Sequence, residues 1–97
     1  MRGLDNNNQP VLMPILNLSY TKIEDVSALG NVKTLNLYAC NNITDVSALG
    51  NIHTLNLSYV KELIDVSYLD EIDHLILKGC IKIHNINTLK HIKKLNI

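Results

Sequence analysis

The sequence predicts an α/β repeat solenoid, a coil in which each turn contributes one strand to a parallel sheet. The first observation is a unit of about 20 residues that recurs along the chain. Its best copy is LNLYACNNITDVSALGNIHT, Leu35 to Thr54, and further copies begin at Leu16, Leu55, Leu75 and Leu95. The second observation is that the apolar positions recur in fixed columns when the copies are aligned. Such columns are expected when each turn stacks on the last.

Seven apolar columns account for the predicted core. No amphipathic helix or hairpin places apolar residues at such mixed spacings over a long fixed period. Polar Thr21 is the exception, in the shortened first copy. The columns are Leu16/Leu35/Leu55/Leu75/Leu95, Leu18/Leu37/Leu57/Leu77/Ile97, Cys40/Val60/Cys80, Ile23/Ile43/Leu63/Ile83, Val26/Val46/Val66/Ile86, Leu29/Leu49/Leu69/Leu89 and Val32/Ile52/Ile72/Ile92.

The chain divides into a short leading segment and the repeat array. Residues 1–14 are predicted to form a polar N-terminal tail and partial cap, in which Arg2 to Pro10 is expected to be flexible and Val11 to Met13 to cover the first repeat. Pro14 is predicted to stand just ahead of the first strand, where its missing N–H does little harm. Residues 15–97 then form the array, with four repeats and the first strand of a fifth.

One turn of the coil can be predicted from its residues. Thr34 to Tyr38 alternates polar and apolar residues, which predicts a strand with one buried face. Asn41-Asn42 predicts a turn, and Asp45 to Gly50 predicts a short helical turn on the convex side. Ser47 is the predicted N-cap, and Asp45 is expected to bond the backbone two residues on.

These motifs resemble those of leucine-rich repeat proteins. The pattern Leu35-x-Leu37-x-x-Cys40-x-x-Ile43-Thr44-Asp45 is similar to the cysteine-containing, F-box-associated subclass. The first copy, Leu16-x-Leu18-x-x-Thr21-x-Ile23, is similar to the internalin form. The resemblance covers residues 15–97 and implies a curved horseshoe that recognises proteins on the concave side of its parallel sheet.

Composition narrows the functional classes. Hydrophobic residues make up 46% of the chain, and without Trp or Phe the core must be aliphatic. Nine basic and nine acidic residues balance, so net charge does not indicate a nucleic-acid or membrane binder. No apolar run approaches the roughly 20 residues of a membrane span, and the N-terminus lacks the apolar stretch of a signal peptide. The prediction is an intracellular, cytoplasmic protein.

No catalytic, cofactor or metal site is predicted. Cys40 and Cys80 fall in one column two turns apart, about 9–10 Å, which is too far for a disulfide and indicates buried structural thiols. The four histidines fall in different columns, without a metal-ligand spacing. Asp25, Asp45 and Asp65, continued by Asn85, form a row that indicates turn-capping, with a calcium ladder as the alternative. No base accompanies the repeated serines, so the chain is predicted not to be an enzyme.

The candidate recognition surface consists of the outward positions of the strands. The row at His74, Ile76 and Lys78 departs most from the consensus, and Tyr is a common interface residue. The row of asparagines can also be structural, since each amide can bond the next. Ordinary surface variation is the alternative for the whole grid. The predicted partner-binding residues are Thr34, Asn36, Tyr38, Thr54, Asn56, Ser58, His74, Ile76 and Lys78.

The predicted partner is a protein, bound without a cofactor. Residues 61–74 carry a net charge of −4 and residues 75–97 one of +5, yet nucleic acid is the less favoured partner because lysines also protect a terminal strand edge. Leu95 and Ile97 suggest end-to-end self-association through the uncapped C-terminal strand, or a fragment of a longer array. Two alternatives stay open: a structural or vestigial product of repeat duplication, and the substrate-recognition part of an F-box-type ubiquitin-ligase adaptor.

Overall fold

The computed structural model describes residues 13–97, in which short parallel strands alternate with 3₁₀-helical turns. The strands are β1 (Met13–Asn17), β2 (Val32–Asn36), β3 (Thr54–Asn56), β4 (His74–Ile76) and β5 (Lys94–Asn96). The 3₁₀ turns are Ser27–Leu29, Ser47–Leu49, Ser67–Leu69 and Ile86–Thr88. The five strands form one sheet in chain order, and each neighbouring pair is parallel. This arrangement is compatible with a repeat solenoid.

The strand register follows the sequence repeat. Leu35 pairs with Leu55, and Leu55 pairs with Leu75, so 20 residues separate consecutive strands. Leu16 pairs with Leu35, a separation of 19 residues that matches the shortened first copy. Backbone N–H groups of the inner-face residues then bond the next turn, as Leu37 does with the carbonyl of Asn56 at 2.8 Å. Each turn therefore satisfies backbone groups of its neighbour.

The apolar columns form one continuous core. Leu35, Leu55 and Leu75 are at most 1% exposed, and the other columns are equally buried in the middle turns. Although Val26, Val32 and Leu89 are buried, most column members of the first and last described turns are only partly buried, because they have a neighbouring turn on one side only. These partly buried residues are Leu16, Leu18, Ile23, Leu29, Cys80, Ile83, Ile92 and Leu95. Two assignments to the core are wrong, since Ile86 and Ile97 are 36% and 76% exposed.

A left-handed residue follows each of the first four strands. Tyr20, Ala39, Tyr59 and Gly79 have φ between 58° and 75°. In this conformation the N–H of each of the first three bonds a carbonyl of the next turn, at 2.7–2.8 Å. Glycine is the residue that adopts such a φ without strain, and only the fourth turn uses it. The sequence analysis did not identify this position.

The aspartate row caps the turns as predicted. The Oδ1 atoms of Asp25, Asp45 and Asp65 each accept the backbone N–H two residues on, at 2.9 Å. Assigning Ser47 as the N-cap was wrong, because Val46 occupies that position and the N-cap residue itself makes no side-chain hydrogen bond. The serine is the first residue of the 3₁₀ turn, and its N–H is the donor that the aspartate satisfies.

The fourth turn departs from the repeat. Its 3₁₀ turn, Ile86–Thr88, begins one residue early, and Asn85 does not cap it as the aspartates do. Instead the Asn85 amide donates to Asp65 at 2.8 Å and accepts the N–H of Val66 at 3.1 Å. A Cβ on Gly50 would lie 2.6 Å from the carbonyl oxygen of Tyr68. Asp70 occupies the equivalent position one turn later, and the 3₁₀ turn that follows it is the shifted one.

The first strand begins earlier than predicted. Pro14 lies inside β1 rather than ahead of it, which is tolerated because β1 is an edge strand of the described sheet. Backbone pairing already starts with Met13, opposite Val32. The predicted flexible tail, Arg2 to Pro10, lies outside the described residues. So do Val11 and Leu12 of the predicted cap, and the side chain of Met13 is not described.

Candidate functional site

The predicted recognition residues lie on one face of the sheet and at its carboxyl edge. Thr34, Asn36, Thr54, Asn56, His74 and Ile76 alternate with the buried leucines and form what is here called the outer sheet face. Thr34, Thr54 and His74 are in register across the strands, as are Asn36, Asn56 and Ile76. Tyr38, Ser58 and Lys78 lie beyond the strand ends, in the following turns. The structure therefore brings the predicted residues together as two rows and an adjoining edge.

Their accessibility differs from the prediction at Ser58. This serine is only 3% exposed, so it is not available to a partner. The next residue in the chain is Tyr59, whose ring centroid is 5.3 Å from that of Tyr38 in the neighbouring turn. Lys78, in the equivalent position of the next turn, is exposed. The six residues of the outer sheet face are half-buried, Ile76 included, so its side chain is less prominent than predicted.

The asparagine row does not form an amide ladder between strands. The Oδ1 atoms of Asn17, Asn36 and Asn56 accept the backbone N–H two residues further on, at 2.9–3.0 Å. Each amide thus fixes the start of the turn after its own strand, in the same manner as the aspartates on the other half of the repeat. Ile76 cannot make this bond, which distinguishes the fourth strand chemically from the second and third.

His74 is the most unusual member of the outer sheet face. Its Nε2 atom is buried and has no hydrogen-bond partner. In register it lies between Thr54 and Lys94, so no carboxylate occupies its row. A buried nitrogen without a partner costs free energy, of the order of 1–3 kcal/mol. The unpartnered nitrogen therefore gives His74 a property that the threonines in its row do not share.

A row of tyrosines runs along the carboxyl edge of the sheet. The rings of Tyr20 and Tyr38 have centroids 5.3 Å apart, and those of Tyr38 and Tyr59 are also 5.3 Å apart. These three residues are here called the tyrosine ridge. Desolvation, followed by the proximity of Tyr20, raises the pKa of Tyr38. Sequence reasoning selected only Tyr38, although a tyrosine at or next to the same position in three consecutive turns was a visible signal.

The described residues contain no cluster suited to metal binding. Within residues 13–97 no three His, Cys, Asp or Glu side chains converge. His53 contacts Asp73 at 3.0 Å and His91 contacts Asp70, so these two histidines are held in separate surface pairs. Hydrogen bonding from the His91 side chain lowers the pKa of Asp70. The aspartate row is likewise committed to turns: bonds from Ser47, its backbone N–H first, lower the pKa of Asp45.

Both thiols are structural. Cys40 and Cys80 are free, as predicted, and their Sγ atoms donate to the carbonyls of Leu18 and Leu57 at 3.0 Å. Cys40 is buried and Cys80 partly buried, and desolvation raises the pKa of the Cys80 thiol. A raised pKa suppresses the thiolate, which is the nucleophilic form.

Comparison with protein-family models and with curated proteins found no match to this sequence. In residues 13–97 no helix is long and apolar enough to cross a membrane. The surface described above is therefore interpreted from its own chemistry.

Proposed function

We propose that this chain is a non-enzymatic protein-recognition module of the leucine-rich repeat type, and that the outer sheet face contacts its partner. The proposal includes a solenoid curved with this face on the concave side, and a reducing, intracellular location in keeping with two free thiols. The observation that carries it is the difference between inner and outward positions of the repeat in how much they vary from copy to copy. Inner positions and turn caps are nearly invariant between copies, whereas the outward positions change from Thr34 to Thr54 to His74.

The chemistry of the face favours a protein partner. It offers hydroxyl, amide and imidazole groups around one aliphatic side chain, Ile76. Interfaces between proteins combine such polar groups with a few larger contact residues. The thiols are held by main-chain carbonyls and the aspartates by turn N–H groups, which favours binding over catalysis.

The test is a comparison of two isoleucine variants. Ile76→Asp places a charge on the outer sheet face, and Ile64→Asp places the same charge at an exposed position on the opposite half of the repeat, where Ile64 is 46% exposed. Quantitative affinity capture from cell extract should lose one specific partner with Ile76→Asp and keep it with Ile64→Asp. Retention of the same partners by both variants would contradict the proposal.

Self-association is a second candidate, favoured by apolar side chains at the β5 end of the sheet. Ile81 and Ile97 are 78% and 76% exposed there, and with Cys80, Ile83 and Ile86 they line an open groove of about 260 Å³. A second copy would cover these groups by stacking its first turn against β5. Sedimentation at micromolar concentration should then show a concentration-dependent mass that Ile81→Asp abolishes, and a monomer throughout would exclude it.

A further inference from the structure

We propose that the turns at the carboxyl edge of the sheet bind an extended acidic peptide segment of the protein partner. The carboxyl-edge turns are residues 18–22, 37–42, 57–62 and 77–82, which include the tyrosine ridge. The inference rests on the proposed recognition function and extends its contact surface from the outer sheet face to this edge. It adds Tyr20, Tyr59, Lys22 and Lys61 to the residues that contact a partner.

The ridge is continuous across three turns and rests against the fourth. Tyr20 is 74% exposed, and its ring packs against Tyr38, which packs in turn against Tyr59. A Cβ on Gly79 would lie 2.4 Å from Cδ1 of Tyr59, so the third ring rests on the glycine of the fourth turn. Three rings that hold each other in place lose little conformational freedom on binding. Rigid tyrosines of this kind supply much of the binding energy at protein interfaces.

Backbone strain marks the same residues. Tyr20 and Tyr59 adopt φ of 63° and 60°, a region that is unfavourable for a bulky side chain. Gly79 shows that the turn can be built without this cost. Placing tyrosine rather than glycine at two of the four left-handed positions therefore reduces stability and creates an exposed aromatic surface. Strained conformations of this kind occur preferentially at binding sites.

Charge is segregated between the two halves of the repeat. The carboxyl-edge turns hold four lysines and one glutamate, a net charge of +3, and the glutamate, Glu62, is paired with Lys82 at 2.9 Å. Within residues 13–97 no carboxylate lies within ion-pair distance of Lys22, Lys61 or Lys78. The segments that carry the 3₁₀ turns, residues 23–33, 43–53, 63–73 and 83–93, hold seven carboxylates and three lysines. The positive edge is thus complementary to an acidic partner.

The lysines lie next to the rings. Lys22 and Tyr20 line the same open depression, together with Asn41 and Asn42. Lys78 immediately precedes Gly79, and its carbonyl accepts the N–H of Tyr59 at 2.7 Å. A peptide lying along the ridge can therefore place carboxylates on lysines at both of its ends while its backbone and side chains contact the rings between them.

Ring spacing favours a peptide over a nucleic acid. Stacked bases are about 3.4 Å apart, so a base held between two rings needs them about 7 Å apart. The ridge rings are 5.3 Å apart and tilted by 52° and 61°, which leaves no slot between them. The surface offers ring edges and hydroxyl groups along a line. That shape fits an extended chain that contacts several turns in succession.

Fluorescence anisotropy with defined probes tests the inference. The probe is a fluorescein-labelled peptide of twelve residues in which glutamate alternates with proline, which keeps the backbone extended. A lysine–proline peptide and a labelled oligothymidine of twelve nucleotides are the comparison probes. We expect the acidic peptide alone to bind at low salt, and to bind less tightly as salt rises. Lys22→Ser/Lys78→Ser should weaken binding about tenfold, and Tyr20→Ser about fivefold or more.

The control removes the same charge elsewhere. Lys33→Ser/Lys90→Ser deletes two exposed lysines outside the carboxyl-edge turns and should change the affinity less than twofold. Equal effects of the two double variants, or equal binding of the lysine peptide, would overturn the inference. Tighter binding of oligothymidine would replace it with a nucleic-acid site. If the captured partner depends on Ile76 and no acidic peptide binds, the inference fails while the proposed function stands.

Discussion

Replacing Gly50 by alanine tests how closely the turns stack. The substitution should stabilise the protein if the turns leave room for a methyl group, and destabilise it if they do not. Gly50 has φ −65° and ψ −18°, a conformation in which alanine is intrinsically preferred. Without a steric conflict, Gly50→Ala would stabilise the protein by about 0.4–1 kcal/mol. The added Cβ, however, would lie 2.6 Å from the carbonyl oxygen of Tyr68, 0.8 Å inside the 3.4 Å at which ordinary contact begins. The carbonyl oxygen belongs to the backbone and the Cβ is fixed rigidly to its own Cα, so the two turns must separate.

Overpacking of this kind costs about 1–3 kcal/mol, so the net expectation for Gly50→Ala is a destabilisation of about 1–2 kcal/mol. Gly30→Ala is the matched control, because its Cβ would meet the carbonyl oxygen of Ala48 at 2.8 Å in an outer turn that can shift more freely. Urea denaturation followed by far-ultraviolet circular dichroism measures both free energies of unfolding. We expect Gly50→Ala to be the more destabilising. An increase in stability for Gly50→Ala would refute the close stacking of the 3₁₀ turns.

Three further predictions concern the core, the thiols and the turn caps. Leu55→Ala should lower the free energy of unfolding by about 2–5 kcal/mol, and Leu95→Ala in the same column by much less, in the same urea assay. In folded protein titrated with a thiol reagent, Cys80 should be labelled faster than Cys40, because it is less buried. The lowered pKa of Asp45 implies stability that is present above its ordinary pKa, 3.8, and is lost as pH falls further. Thermal denaturation from pH 5 to pH 2 should show this loss, and Asp45→Asn should reduce it.

Each of these expectations has an outcome that would contradict it. Equal losses for Leu55→Ala and Leu95→Ala would mean that the last turn is covered as fully as the middle ones. Faster labelling of Cys40 would place that thiol at the surface. An unchanged pH dependence in Asp45→Asn would mean that the Asp45 carboxylate does not stabilise its turn. The same substitution at Asp25 and at Asp65 would then be tested.

The parts of the fold that were predictable are those that repeat. Leu35 and its column, Asp45 and its turn, and the separation of Cys40 from Cys80 follow from a pattern that each copy states again. Repetition made them visible because the same side chain must meet the same neighbour in every turn. Ser47 was misassigned because a serine two residues after an aspartate can either cap the turn with its side chain or donate its N–H to the aspartate. Only the hydrogen-bond geometry distinguishes these two roles.

Only the part of the candidate site that lies on the strands was predictable, because there inward and outward positions alternate. The rows that begin at Thr34 and Asn36 follow from that alternation, and they lie side by side in the structure. Tyr38 was predicted on a strand but lies in a turn, and its contacts with Tyr20 and Tyr59 depend on the left-handed residues beside it. Ser58 was predicted to face outward and is buried next to those rings.

The sequence by itself determined the period, the apolar columns and the parallel order of the strands, because each depends on spacing along the chain. The tertiary structure decided which side chains meet between turns. It joined the tyrosines into a ridge, and it made glycine necessary at Gly50 because of an approaching carbonyl rather than a left-handed backbone. It also shifted the fourth turn around Asp70. Such contacts join residues about 20 positions apart. Their distances depend on how closely the turns stack, and this cannot be inferred from the order of neighbouring residues.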